Sequence, residues 1–564
     1  MTLLEENFDI AFAAPGGIKK LRELILTLAM QGKLVPQAPK DQPASGLLKE
    51  IEGEKLRLVK EGKIKALKTV PEINAKELPY QVPTGWLWVR LGTIGNIFNG
   101  NSINSAEKDA KYVGARGLPY IATKDVGYGL DTLDYDNGVY IPEGEEKFKI
   151  AHQGAVLLCA EGGSAGKKCG MTDRDICFGN KLFANELYGT IPPKLILYLY
   201  LSPIFRSYFE NSMTGIIGGV SIAKFVEIPI PLPPLSEQYR IIFKVDQLMA
   251  RCDDMEKLQV GWEQKRRTVH TAAINQLHMA TERYDISTAY RFIGQHFDEL
   301  YSVKENVVEL RKAILQLAIM GKLVPQDPND QPAGELVKKI EAEKKRLMQE
   351  GKIKDSRPLP AIKPVEMPYA LPRGWAWANL QDLFALVTDG DHQAPPKALS
   401  GIPFLVIGNL NTGKISLDAC RFVPLDYYSA LDWVKKPTNK DILYTVTGSY
   451  GIPIPVQDDH AFCVQRHVAI FKSVESSPVE YLAYLLKSEY AFNYATSMAT
   501  GIAQKTVPLT GLRKMPVAVP PVNEQRRIVA KIDKLMSLCD RLEQSIDAAT
   551  NKQTALLGAM TARV

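Results

Sequence analysis

The segment Glu161-Gly162-Gly163-Ser164-Ala165-Gly166-Lys167-Lys168 carries the glycines and the lysine of a phosphate-cradling loop. A Walker loop needs glycine where Glu161 stands, so that backbone amides can wrap the phosphates. It also needs Ser or Thr where Lys168 stands, to supply a hydroxyl to magnesium. Both positions fail, and the segment reads as a glycine-rich turn between strands whose Lys167 and Lys168 could face phosphates. Asp389-Gly390-Asp391-His392 offers oxygen and nitrogen donors. The seven histidines (His152, His270, His278, His296, His392, His460, His467) nevertheless fall at no metal-ligand spacing, and the tetrapeptide reads as a polar loop. No Asn/Asp-Pro-Pro-aromatic methyltransferase motif and no glycine-rich cofactor loop occurs. The seven cysteines include no Cys-x-x-Cys pair and read as reduced, buried thiols. These residue types assemble no catalytic centre, so the chain reads as a non-enzyme with no cofactor or metal of its own.

The elements that position these loops are written twice. Residues 21–65 align without a gap on residues 310–354, an offset of 289, with 30 of the 45 positions identical. The register holds at Pro83-Thr84-Gly85-Trp86-Leu87-Trp88 against Pro372-Arg373-Gly374-Trp375-Ala376-Trp377. It fades, then returns at Pro233-Pro234-Leu235-Ser236-Glu237-Gln238 against Pro520-Pro521-Val522-Asn523-Glu524-Gln525, where the offset is 287. Two long units, rather than many short ones, imply a pseudo-twofold molecule.

Each half begins with an apolar helix (Leu21–Met30; Leu310–Met320) that a glycine, Gly32 or Gly321, should cap. A charged amphipathic helix follows over 46–61 and 335–350. Proline-rich linkers lead to the Gly-Trp signals. After the Pro-Pro exits, Ser236 and Asn523 should cap long helices, with Glu237 and Glu524 favourable in the first turn. Apolar residues then recur at a 3.5-residue spacing, which predicts coiled-coil packing: Ile241, Val245, Leu248, Cys252, Met255 and Trp262 in one half; Ile528, Ile532, Leu535, Cys539, Leu542, Ile546 and Ala549 in the other. Between linker and exit, short β-branched and aromatic runs punctuated by Gly and Asn predict mixed α/β domains. Each ends in a helical segment (Pro193–Phe209; Val479–Tyr494). Weak matches such as Gly117–Ile121 with Gly401–Leu405, and Ala155–Leu157 with Asp441–Leu443, imply one fold with diverged surfaces. The organisation expected is 1–90 helical segment and linker, 91–235 first α/β domain, 236–379 central helical region with linker, 380–520 second α/β domain, and 521–564 C-terminal helix.

With 564 residues and 45% hydrophobic content, the chain can bury several cores, and a net charge of +6 permits a nucleic-acid partner without demanding one. No apolar run reaches the roughly 18 residues of a membrane span. The acidic, polar opening MTLLEENFDI is unlike a secretory leader, so a cytoplasmic protein is expected.

The repeated Pro-x-Gly-Trp signals, the Gly-x-Leu/Ile-Pro strands, the Gly-Lys-Leu-Val segments (Gly32–Val35; Gly321–Val324) and the exits Pro-Pro-x-x-Glu-Gln-x-Arg-Ile resemble the specificity (S) subunit of a Type I restriction–modification system. The resemblance covers nearly the whole chain, twice and in the same order. It implies two target-recognition domains separated by long antiparallel coiled-coil helices, each domain reading half of a bipartite, asymmetric sequence in double-stranded DNA. It further implies two methyltransferase (modification) subunits docked on the helices, restriction subunits in the full complex, and S-adenosylmethionine, ATP and Mg belonging to those partners. A coiled-coil scaffold that binds proteins without reading DNA is the other reading open at this point.

Base edges are read by Arg, Lys, Asn, Gln, Ser or Thr on loops that enter the major groove. Candidates in the first domain are Asn99, Asn101, Ser102, Lys124, Ser164, Lys167, Lys168, Asn180 and Lys181. In the second they are Asp391, His392, Gln393, Asn409, Ser449, Tyr450, Arg466, His467, Gln504 and Lys505. Residues 91–235 hold 13 Lys/Arg against 15 Asp/Glu, and residues 380–520 hold 12 against 12. Neither domain is basic overall, so positive surface must be local or come from a partner.

Overall fold

The main elements form in the same order in both halves of the chain. The computed structural model describes residues 14–64, 70–214, 218–280, 283–354, 358–392, 394–457, 459–502 and 504–562. It divides into two compact units: unit 1, Met1–Trp262 with Ala549–Val564, and unit 2, Glu263–Ala548.

Unit 1 opens with helix α1 (Gly17–Met30), whose buried face includes Leu21, Ile25 and Ala29. Its end is a Schellman turn. The Lys33 amide donates to the Leu28 carbonyl at 2.9 Å and the Gly32 amide to Ala29 at 3.2 Å, with Gly32 at φ 70°. A side chain at 32 is doubly excluded, because its Cβ would lie 2.4 Å from Cγ of Pro83. Amphipathic α2 (Ala44–Lys60) follows. Strand β1 (Leu87–Arg90) then pairs antiparallel with β10 (Pro229–Leu232), so the lead-in and the exit of the domain are zipped together.

Between these strands lie two sheets. One is four-stranded, in the order β2 (Gly95–Asn99), β9 (Leu182–Leu187), β6 (Val156–Cys159), β7 (Cys169–Met171). The other runs β4 (Tyr140–Ile141), β3 (Leu118–Ile121), β8 (Ile176–Phe178), β5 (Ile150–Ala151), with β3 and β8 parallel. Helices α3 (Pro193–Leu201) and α4 (Pro203–Ser212) cover the first sheet. The single segment expected over 193–209 is broken at Ser202, where Pro203 cannot continue the ladder and the Ser202 hydroxyl caps the next helix by accepting from the Phe205 amide. Helix α5 (Leu235–Met279) runs 45 residues, about 68 Å at 1.5 Å per residue. It belongs to unit 1 as far as Trp262.

Unit 2 repeats the plan after the extra helix α6 (Arg283–Gln295). Helix α7 (Lys304–Ile319) closes with the same Schellman turn at Gly321, where a Cβ would again lie 2.4 Å from a proline, Pro372. Helix α8 (Ala333–Gln349) precedes β11 (Ala376–Asn379), which pairs with β19 (Pro516–Val519). The four-stranded sheet runs β12 (Leu386–Asp389), β18 (Val468–Lys472), β15 (Ile442–Thr445), β16 (Pro453–Pro455). The other sheet runs β14 (Arg421–Val423), β13 (Ile402–Leu405), β17 (Cys463–Val464), again with a parallel pair, β13 and β17. Helices α9 (Val479–Leu486) and α10 (Glu489–Met498) are divided at Ser488, the counterpart of Ser202, and α11 (Val522–Ala562) leaves the exit.

The long helices start two residues earlier than caps at Ser236 and Asn523 would give, at Leu235 and Val522. The Gln238 and Gln525 amides already donate to the Pro234 and Pro521 carbonyls, so Ser236 and Asn523 sit inside the first turn rather than capping it. Of the seam, Ile241, Val245, Cys252, Ile528, Ile532 and Cys539 are buried, whereas Trp262 is 67% exposed. The buried seam residues join the core of their own unit, with α1 residues Leu21 and Ile25 in one and α7 residues Ile314 and Ala318 in the other. Arg22 clamps the first contact through Asp253 and Glu256. Arg311 clamps the second through Asp540 and Glu543. The fold is thus mixed α/β and internally duplicated, with long helices whose seams suit coiled-coil packing.

Candidate nucleic-acid interface

In each unit a buried carboxylate ties the domain lead-in to its exit helix. Trp86 donates its indole N–H to Glu237 at 2.9 Å, and Trp375 donates to Glu524 at 3.0 Å. Gln37 and Gln326 donate to the same carboxylates at 3.0 and 3.1 Å, and also to the Gly32 and Gly321 carbonyls. Arg240 pairs with Asp41, and Arg527 with Asp330. Burial raises the Glu524 carboxyl above the usual carboxylate range, and the bonds from Gln326 and Trp375 pull it back. Sequence alone assigned Glu237 and Glu524 to the helix dipole. Their partners, 198 to 200 and 149 to 151 residues away in the chain, were missed. The repeated tryptophan was the available signal.

On this frame the loops of the first domain meet at one end of the four-stranded sheet. Asn99 ends β2 opposite Phe183, Cys159 ends β6 opposite Leu182, and Cys169 opens β7 opposite Leu158. Asn101–Ser102, the 160–168 turn and Gly179–Lys181 therefore emerge together. Gly100 allows this convergence, since a Cβ there would lie 1.9 Å from the Phe178 carbonyl oxygen. The turn carrying Lys124 joins them, because Lys168 Nζ donates to the Thr123 carbonyl at 3.2 Å and lies over the Tyr128 ring. Lys149, missed in the sequence, braces the loop by donating to Asn99 Oδ1 at 3.1 Å from its side chain and to Asn101 Oδ1 from its backbone. An open groove of about 630 Å³ runs through this edge, lined by Glu161, Asn180, Lys181, Thr214, Gly219 and Ser221 among others. The 161–168 segment is the β6–β7 turn, with the Lys167 and Lys168 amides bonded to the Ser164 carbonyl.

The second domain places its candidates at the matching edge. Asp389 ends β12 opposite Ala469, and Gly390 takes the place of Gly100, its Cβ likewise 1.9 Å from a carbonyl oxygen, that of Val464. Strand registers then equate Asn101 with Asp391, Ser102 with His392, Asn180 with Arg466, and Lys181 with His467. Ser449 and Tyr450 lie on the β15–β16 turn, where Tyr450 stacks on Phe492 at 5.8 Å. The adjoining loop carries Gln504 and Lys505, and the Lys505 carbonyl accepts from the Gly448 amide. His392 Nε2 sits 3.0 Å from Asp389, and Asp391 accepts from the Tyr427 hydroxyl at 2.7 Å. Burial, aided by neighbouring Arg466, lowers the His467 pKa.

Asn409 departs from the expectation. It is 8% exposed, its Oδ1 accepts from the Val406 amide and its Nδ2 faces the Asp418 carbonyl. It is the counterpart of buried Asp125, which caps the matching turn through the Ala122 amide, so its role is to hold a turn and not to face a partner. Gln393 lies outside the described residues.

Set against known proteins, residues 83–260 and 372–551 both match the profile of the Type I restriction modification DNA specificity domain. The chain belongs to this family. The specificity subunit of the Type I restriction enzyme EcoAI of Escherichia coli is 33% identical, over 97% of this chain and 93% of that one. The EcoEI specificity subunit of the same species is 30% identical over the same shares. A crystal structure of an HsdS subunit from Thermoanaerobacter tengcongensis aligns at 18% identity and a TM-score of 0.44, over 86% of this chain and 98% of that one.

For this specificity-family chain the charge distribution is local. Lys124, Lys167, Lys168 and Lys181 lie toward the groove end of the first domain, against Asp125, which pairs with Lys124 at 3.1 Å, and Glu161. Asp173, Asp175 and Glu186 lie toward the opposite end, beyond β7 and along β9. A domain that sums to −2 can thus present a positive edge. Among the described residues no group of three or more His, Cys, Asp and Glu could hold a metal ion, and no helix is long and apolar enough to cross a membrane.

Proposed function

We propose that this chain supplies DNA sequence specificity to a Type I restriction–modification assembly, without catalytic groups of its own. Each domain presents its sheet-end loops to one half of a bipartite target. The observation that carries this reading is the pairing of equivalent positions bearing unlike side chains: Asn180 against Arg466, Lys181 against His467, Ser102 against His392. One frame with two chemistries recognises two different half-sites, which makes an asymmetric target. Equivalent faces of a duplex recur about every 34–36 Å, and helices of the length of α5 and α11 can set such a separation. In this reading the helices dock two methyltransferase subunits, restriction subunits join the full complex, S-adenosylmethionine, ATP and Mg belong to those partners, and the assembly works in the cytoplasm.

The test is to co-express the chain with its modification subunit and map methylated positions in host DNA by single-molecule sequencing. One split, asymmetric target is expected, and methylation without a fixed target would overturn the proposal. Band-shift titration should show the assembled complex binding DNA far more tightly than the isolated chain.

A further inference from the structure

The groove of the first domain is lined by one acid, Glu161, and one base, Lys181. Glu161 is exposed, and among the described residues its carboxylate makes no hydrogen bond or ion pair. Its backbone is nonetheless fixed. Residue 161 bridges Gly219, the preceding Ala160 receives the Val220 amide at 3.0 Å and donates to the Lys181 carbonyl at 2.8 Å, and the following Gly162 donates to Gly218 at 2.9 Å. The side chain lies across Gly219, where a Cβ would sit 3.3 Å from Glu161 Cγ, so the glycine makes room for it. Asn180 and Lys181 line the same groove, also without side-chain hydrogen bonds or ion pairs.

A lone carboxylate on a surface meant for a polyanion repels phosphates and weakens binding at every sequence. It becomes favourable only where it meets a donor. In the major groove the donors are the exocyclic amines of cytosine and adenine. Adenine sets its N7 acceptor beside N6, and guanine and thymine present acceptors alone, so a carboxylate is best matched by cytosine N4. The counterpart of Glu161 in the second domain is Thr447, which bridges Thr506 as Glu161 bridges Gly219 and carries no charge.

Resting on the function proposed above, we infer that Glu161 is a specificity-determining residue that accepts a hydrogen bond from the N4 amine of a cytosine in one half-site, while the lysines around it hold the phosphates.

The experiment uses the assembled methyltransferase complex carrying the wild-type chain, Glu161→Ala or Lys167→Ala. Methylated sites are mapped in host DNA, and affinity is then measured on duplexes of the mapped target and on an unrelated duplex. With E161A, one cytosine position of one half-site should become degenerate. Affinity for the mapped target should fall about tenfold or more, while affinity for the unrelated duplex holds or rises. K167A should weaken both duplexes alike and leave the target unchanged. A fixed target identical in E161A and wild type, or a degenerate position that is not cytosine on either strand's contacted edge, overturns the assignment alone. A wild-type complex with no fixed target overturns the functional reading and this inference together. Because Glu161 is exposed and its side chain bonds nothing among the described residues, its truncation should leave folding intact, and a thermal melt of E161A checks this directly.

Discussion

The two recognition domains share the order of their larger sheets and differ in the sign of a charge at one position on the strand that β9 and β18 have in common. In the first domain it is Glu186, which meets His152 at 2.8 Å on a surface where the imidazole is 66% exposed. In the second it is Lys472, which meets Asp441 at 2.6 Å with both side chains 3% exposed, and which also donates to the Lys436 carbonyl and to Thr438. The sign of the charge has reversed and its burial has changed, yet the sheet order and register are the same. A strand ladder is made of backbone groups and tolerates such exchange, provided that each buried charge keeps a partner.

The sharpest way to break this comparison is to remove one partner of each pair. Asp441→Ala or Lys472→Ala should destabilise unit 2 by about 3–5 kcal/mol, because the remaining charge is left buried and unpaired. His152→Ala should cost no more than about 1 kcal/mol in unit 1. Denaturant unfolding of the full chain measures both, and equal losses would show that the second pair is not sealed from water. The frame should behave in the opposite manner, equally in the two units. Glu237→Ala and Glu524→Ala each strand an indole N–H and a glutamine amide and should each cost about 1–3 kcal/mol. A large inequality in the same unfolding measurement would end the claim of a common frame.

Binding sharpens the comparison further. Arg466→Ala and Asn180→Ala, at equivalent positions, should each relax one target position, in different half-sites, at about 1–3 kcal/mol apiece. Lys124→Ala should instead lower affinity for all sequences and reduce the salt slope by about 0.9. Methylation mapping and salt-dependent band shifts separate the two outcomes. The smallest effect concerns pH. The hydrogen bonds from Arg240 and Arg527 hold the Asp41 and Asp330 carboxyls below their usual range. In that window the unfolded chain binds more protons, so stability rises with pH; this contribution is present above the ordinary carboxylate range and lost as pH falls through the lowered values. Arg240→Ala and Arg527→Ala should flatten the acid limb of a stability-against-pH curve, and an unchanged limb would rule the pairs out as its source.

Much of the scaffold was legible because it is local and said twice. The helix-ending glycines, the 3.5-residue seams and the strand signals at Gly117–Ile121 and Gly401–Leu405 follow from conformational freedom and periodicity within a few residues. Where local signals competed, the reading slipped. Ser236 and Asn523 looked like caps, but the carbonyls of Pro234 and Pro521 had already begun the ladder. Asn409 looked like a reader because it follows a glycine, and only the fold reveals that it is the counterpart of Asp125, buried in its own turn.

The candidate site divides in the same way. The residue types on the loops were visible, and most of the named positions emerge at the two sheet ends. Their pairing across domains was not visible, since the connection from β2 to β3 is longer than that from β12 to β13 and no single offset aligns Asn180 with Arg466 and Asn101 with Asp391 at once. By itself the sequence determined a duplicated chain with a common helical frame and two unlike sets of polar loops, because repetition, helix period and turn chemistry are properties of short stretches. Only the tertiary structure decided which loops share an edge, that Glu237 and Glu524 serve buried tryptophans, and that one carboxylate shares a groove with Asn180 and Lys181. Those facts depend on strand register and close approach between residues far apart in the chain, which no local pattern encodes.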